Sequence, residues 1–71
     1  MSEPSILKYF SYSHLPPHLR EISRKFYELA HELVDVLNPG AELSTALRKL
    51  LEGKDAAVRQ AVDDHNQRPV R

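Results

Sequence analysis

The chain has 71 residues, ten basic and ten acidic side chains, a formal net charge of zero and no cysteine. That length bounds it to one domain, whose single core supplies no more than about 3–5 kcal/mol and calls for a further staple. Without cysteine the staple is neither a disulfide nor a thiolate zinc site, so self-association is expected; charge neutrality argues against duplex nucleic acid, whose binding rests on many phosphate contacts.

Residues 1–7 read as a flexible arm. Met1-Ser2-Glu3-Pro4 lacks the basic flank and apolar stretch of a signal peptide. No later run approaches the ~20 apolar residues of a membrane span. A cytoplasmic location without membrane contact is expected, and the lack of cysteine fits it. Residues 8–15, Lys-Tyr-Phe-Ser-Tyr-Ser-His-Leu, read as an extended or turning segment that is ordered only if its aromatic rings dock.

Pro16-Pro17 cannot lie inside a helix but suit its first turn, so a first helix is predicted over about 16–37. Its apolar residues Leu15, Leu19, Ile22, Phe26, Leu29, Leu33 and Val36 are separated by gaps of 4, 3, 4, 3, 4 and 3. That is one apolar seam suited to packing on another helix, with Leu15 stapling the start against Leu19. Asn38-Pro39-Gly40 is a breaker cluster. A second helix is predicted over about 41–64, with Glu42 in its first turn. Its seam is Leu43, Leu47, Leu50, Lys54, Ala57 and Ala61. Residues 65–71, which include Pro69, read as a frayed tail. A short connection makes long helices antiparallel neighbours. The expected fold is all-α: an antiparallel two-helix hairpin over 8–64 with an N-terminal aromatic arm, assembling into a homo-oligomeric helical bundle.

Tyr9, Phe10 and Tyr12 place three of the five aromatic residues within four positions, near Lys8, Arg20, Arg24 and Lys25. Aromatic faces stack on bases at ~1–3 kcal/mol each, and cations meet phosphates. The alternative is a hydrophobic plug across the hairpin, in which a tyrosine hydroxyl still needs a partner. Lys54 falls on the second apolar seam. It must snorkel to an edge, pair with an acid or meet an anion. The preceding Gly53 costs ~1 kcal/mol against alanine in mid-helix, which suggests close approach of another backbone or a ligand. Ser44, Thr45, Arg48 and Lys49 on the first turns of the second helix read either as an anion site or as a solvated face. His14 and His18 are four apart, but prolines interrupt the helical spacing between them. His31 with Asp35 is a common surface pair, so no metal site is expected. No catalytic constellation or cofactor motif is present, and the chain is not expected to be an enzyme.

Phe10-Ser11-Tyr12-Ser13-His14-Leu15-Pro16 resembles the aromatic-x-aromatic, His, Pro opening of a phage hairpin domain. Ser44-Thr45-Ala46-Leu47-Arg48-Lys49-Leu50-Leu51-Glu52-Gly53 is similar to that domain's second helix, and Ile22 and Ala30 fall at comparable places. The domain is that of the phage anti-CBASS sponge family, and the resemblance spans about residues 8–62. It implies a helical hairpin that assembles into a homo-oligomer, typically a hexamer. It also implies capture of cyclic dinucleotide or trinucleotide immune messengers without chemistry on them. The resemblance gives Tyr12, with Phe10 beside it, the base-stacking role. In the family a basic residue follows the isoleucine directly. Here Ser23 follows Ile22, and Arg24 and Lys25 come next as the phosphate-holding bases. Arg48 matches a basic residue of a second, trinucleotide site.

A sponge for cyclic nucleotides is therefore the expected function. The alternative is a coiled-coil adaptor whose seam takes a partner helix and no nucleotide. A small DNA-binding regulator is disfavoured by charge neutrality.

Overall fold

A computed structural model of the protein describes residues 4–67. A 3-10 helix, Ser5–Phe10, is followed by α1, Pro17–Val36, and α2, Ala41–Gln67. No strand occurs among the described residues. The two α-helices pack against each other as a hairpin, and the 3-10 helix lies against both. The molecule is elongated, 43 × 20 × 16 Å, with a radius of gyration of 13.5 Å where a compact globule of this length has about 11 Å.

The prolines set the start of α1. The Pro16 carbonyl accepts from the N–H groups of Leu19 at 3.0 Å and Arg20 at 2.8 Å. No side chain caps this end. Instead Arg20 reaches back, its Nε and Nη2 donating to the Leu15 carbonyl at 3.2 and 3.0 Å. At the other end Leu37 is extended, with φ −114° and ψ 146°. Pro39 keeps Asn38 out of the helical region and stops the helix. Gly40 has no positive φ, and a Cβ there would meet nothing within 4 Å. The turn thus depends on proline rather than on glycine's left-handed freedom.

The core is Leu7, Phe10, Ala30, Leu43 and Leu47, with Phe26, Tyr27, Leu33, Val34, Leu50 and Leu51 packed around it. Leu7 and Phe10 are three apart and so share one face of a 3-10 helix. Three expectations are corrected here. Residues 1–7 are not all arm: Ser5–Leu7 open the 3-10 helix and Leu7 is buried, while residues 1–3 lie outside the described residues. Lys8–Phe10 are helical rather than extended, and the turning segment begins only at Ser11, where the Leu15 N–H donates to the Tyr12 carbonyl at 3.1 Å. Of the expected tail, His65–Gln67 continue α2, and residues 68–71 lie outside the described residues.

On α2 the core follows the predicted seam, with Leu43 and Leu47 buried and Leu50, Lys54, Ala57 and Ala61 half-buried. On α1 it does not. Ser23 and Ala30, seven apart, are fully buried, while Leu29 and Val36 remain 43% and 74% exposed. α1 is rotated by about one residue from the predicted seam. Small side chains at 23 and 30 permit close helix approach, and Phe26, Leu33, Tyr27 and Val34 fill the flanks.

Candidate functional site

Two clefts meet at Ser11, where the 3-10 helix and the turn after it cross the hairpin. The shallower, of about 230 Å³, is lined by Ser11, Tyr12, Ser13 and Tyr27. Tyr12 stands edge-to-face on Tyr27, ring centroids 5.1 Å apart at 67°. Tyr27 in turn lies 4.3 Å from His31. All three residues are half-buried. A row of partly open rings offers π-faces on which a planar base can stack.

The deeper cleft, about 410 Å³, has Lys8, Tyr9, Ser23, Lys54, Asp55 and Arg59 among its lining residues. Lys54 Nζ donates to the Tyr9 carbonyl at 2.7 Å and lies 3.9 Å from the Asp55 carboxylate. The ammonium on the apolar seam thus ties the last turn of the 3-10 helix to α2. Lys8 Nζ sits 5.3 Å from the centre of the Tyr9 ring, at cation–π distance. Ser23 Oγ is buried and has no hydrogen-bond partner. That is an unusual state, because most buried polar side chains are satisfied.

The sequence-predicted residues are scattered. Tyr12 lines the aromatic cleft and Tyr9, 57% exposed, lines the basic one. Phe10 is corrected from base-stacking residue to core residue: it is fully buried, so its ring has no face open to a ligand. Arg24, Lys25 and Arg48 line neither cleft. Arg24 is bonded to Glu21 and, at 2.9 Å, to Glu28. The hydrogen bond with Glu21, then that with Glu28, raises the guanidinium's pKa, and its hydrogen bond and charge lower that of the Glu21 carboxyl. With two carboxylates already on it, Arg24 is a poor free cation. Lys25 and Arg48 are exposed.

In the Ser44, Thr45, Arg48, Lys49 patch, Thr45 Oγ1 donates to the Ala41 carbonyl at 3.1 Å and Lys49 lies 3.9 Å from Glu52. That favours a solvated face. A Cβ on Gly53 would meet only Phe26 Cε1, at an ordinary 3.8 Å, so packing within this chain does not need glycine there. His18 and His65 stack at 3.9 Å, joining the start of α1 to the end of α2. Among the described residues no three histidine, cysteine or acidic side chains converge on a metal position.

Sequence reasoning missed Tyr27, Ser23 and Arg59. Tyr27 and Ser23 stand one position off the predicted seam, and the rotation of α1 brings both to the clefts. Placing the seam on the small residues Ser23 and Ala30 would have found them. Arg59 carries no signal beyond lying five residues after Lys54 on the same helix.

Among known proteins, no family model, curated sequence or solved structure matches the chain. Among the described residues no helix is long and apolar enough to cross a membrane.

Proposed function

We propose that the protein is a non-catalytic sponge that binds cyclic dinucleotides or trinucleotides and withholds them from CBASS-type anti-phage signalling in a host bacterial cytoplasm. The observation that carries this reading is the Tyr12–Tyr27–His31 row, held half-open beside the core rather than consumed by it. The resemblance to the phage anti-CBASS sponge family supplies the ligand class, and Tyr12 is the residue common to both lines of reasoning.

Self-association belongs to the same reading, as a hexamer by that resemblance. Leu29, Val36 and Leu37 expose apolar surface along α1, and a chain this small gains from covering it. Lys25 and Arg48 lie outside the aromatic cleft of their own chain. They suit phosphate contacts made across a subunit boundary. The same exposed α1 surface favours one second reading, a coiled-coil adaptor that takes a partner helix and no nucleotide.

A thermal-shift panel of cyclic nucleotides, run beside a sizing measurement, separates the two. A sponge at 100 times its Kd gains about 2.7 kcal/mol, a rise of roughly 10 °C or more for a domain of this size. Tyr12→Ala should remove ~1–3 kcal/mol of binding. Nucleotide recovered intact marks sequestration, and hydrolysed product marks an enzyme. A panel in which no member moves the transition leaves the adaptor.

A further inference from the structure

We infer that the Lys54 cleft is an anion pocket for the phosphate group of an organic phosphate. Three cations, Lys8, Lys54 and Arg59, face it against one carboxylate, Asp55. Among the described residues Lys8 and Arg59 have no carboxylate within ion-pair distance. The cleft is therefore net positive, and this surplus lies within a chain of zero overall charge. A local surplus in a neutral molecule suits a small anion rather than a polyanion.

The second observation is independent of charge. Ser23 is fully buried, lines this cleft, and has a hydroxyl that bonds to nothing. In a helix interior a serine usually turns back to bond the carbonyl four residues earlier, and here it does not. An oxyanion accepts from serine hydroxyl and lysine ammonium alike. Lys54 gives one of its three N–H donors to the Tyr9 carbonyl at 2.7 Å, which positions it and leaves two.

Size and lining extend the identification. About 410 Å³ falls within the ~300–1,000 Å³ of small-molecule sites and exceeds what a bare ion fills. Leu15 and Val58 supply apolar wall for the rest of such a ligand. Because Ser11 borders both clefts, a nucleotide with its base on Tyr12 can extend its phosphate toward Lys54. Only this last placement rests on the sponge reading; the anion pocket does not.

The test is an NMR titration of the full chain with inorganic phosphate and with adenosine monophosphate, on wild type and three variants. Lys54→Gln keeps a donor for the Tyr9 carbonyl and removes the charge. Ser23→Ala removes the hydroxyl, and Arg59→Gln changes an exposed residue that the fold does not need. The expected result is amide shifts at Ser11, Ser23, Lys54 and Arg59 with both probes. Adenosine monophosphate affinity should fall about tenfold in Lys54→Gln and several-fold in Ser23→Ala and Arg59→Gln, with Lys49→Gln unchanged. If Lys54→Gln does not fold, Arg59→Gln and Ser23→Ala decide. The inference is overturned if neither probe shifts those amides, or if the folded variants bind as wild type does. Cyclic nucleotides that stabilise wild type and Lys54→Gln alike would overturn the placement of their phosphate at Lys54 while leaving the sponge intact. Adenosine monophosphate binding that needs Lys54, with no cyclic nucleotide stabilising the protein, would uphold the pocket and end the sponge.

Discussion

The two halves of the hairpin are built differently. Toward the connecting turn, Ala30 meets Leu43 and Leu47 in a dry core that the N-terminal Leu7 and Phe10 complete. Toward the open end, the same helix faces carry Ser23 and Lys54, with Arg59 exposed at the flank, and the space between the elements is a cleft rather than a core. One half is held by apolar packing, and the other combines the tie from Lys54 to the Tyr9 carbonyl with a buried Ser23 hydroxyl that bonds to nothing. A hairpin selected only for stability would place alanine at 23. On the anion-pocket proposal, these polar groups put ligand binding at the open end.

The largest test of this contrast is truncation. Leu47→Ala in the dry half should cost about 2–5 kcal/mol. That is comparable to the whole stability expected of so small a core, so the variant should be largely unfolded by circular dichroism at 25 °C. Val58→Ala, half-buried in the cleft wall, should leave a cooperative urea transition. Equal losses at both positions would erase the distinction between the halves.

Ser23→Ala is expected to raise stability by about 1 kcal/mol, because it removes a buried hydroxyl without a partner and adds a better helix former. The same change weakens adenosine monophosphate, so stability and binding should move in opposite directions. A fall in urea midpoint would mean that the hydroxyl is satisfied in the unliganded protein. Gly53→Ala should give the smallest gain, ~0.5–1 kcal/mol, since the new methyl meets only the Phe26 ring at 3.8 Å. A loss instead, measured with a shift in oligomer size, would place a second copy of the chain against that glycine.

Local backbone chemistry was readable without coordinates. Pro16-Pro17 and Asn38-Pro39-Gly40 bracket α1 to within a residue, because each acts on its own neighbours. The seam of α2 was equally plain in its spacing. The rotation of α1 was not, since Ile22 and Leu29 are as apolar as any partner could require. What decides between that face and the Ser23–Ala30 line is the shape of the opposing surface. The 3-10 helix was hidden for a similar reason: Leu7 and Phe10 acquire a role only once two distant helices form a groove. Its place on an apolar seam says that Lys54 must snorkel to an edge, pair with an acid or meet an anion. Its principal partner is a backbone carbonyl, which no side-chain pattern announces. Tyr12 and Tyr9 stand out by composition, and each lines one of the two clefts. Tyr27, His31 and Ser23 depended on the rotation.

The bond from Lys54 to Tyr9 spans 45 positions of sequence. The α1–α2 contacts next to the Asn38–Gly40 bend close far shorter loops, and closure entropy grows with the length enclosed. The N-terminal segment should thus be the last part to dock and the first to detach. Its amides, from Leu7 to Ser11, should exchange with solvent ahead of those in mid-helix. Lys54 thus shares with the buried Leu7 and Phe10 the task of holding that segment on the hairpin.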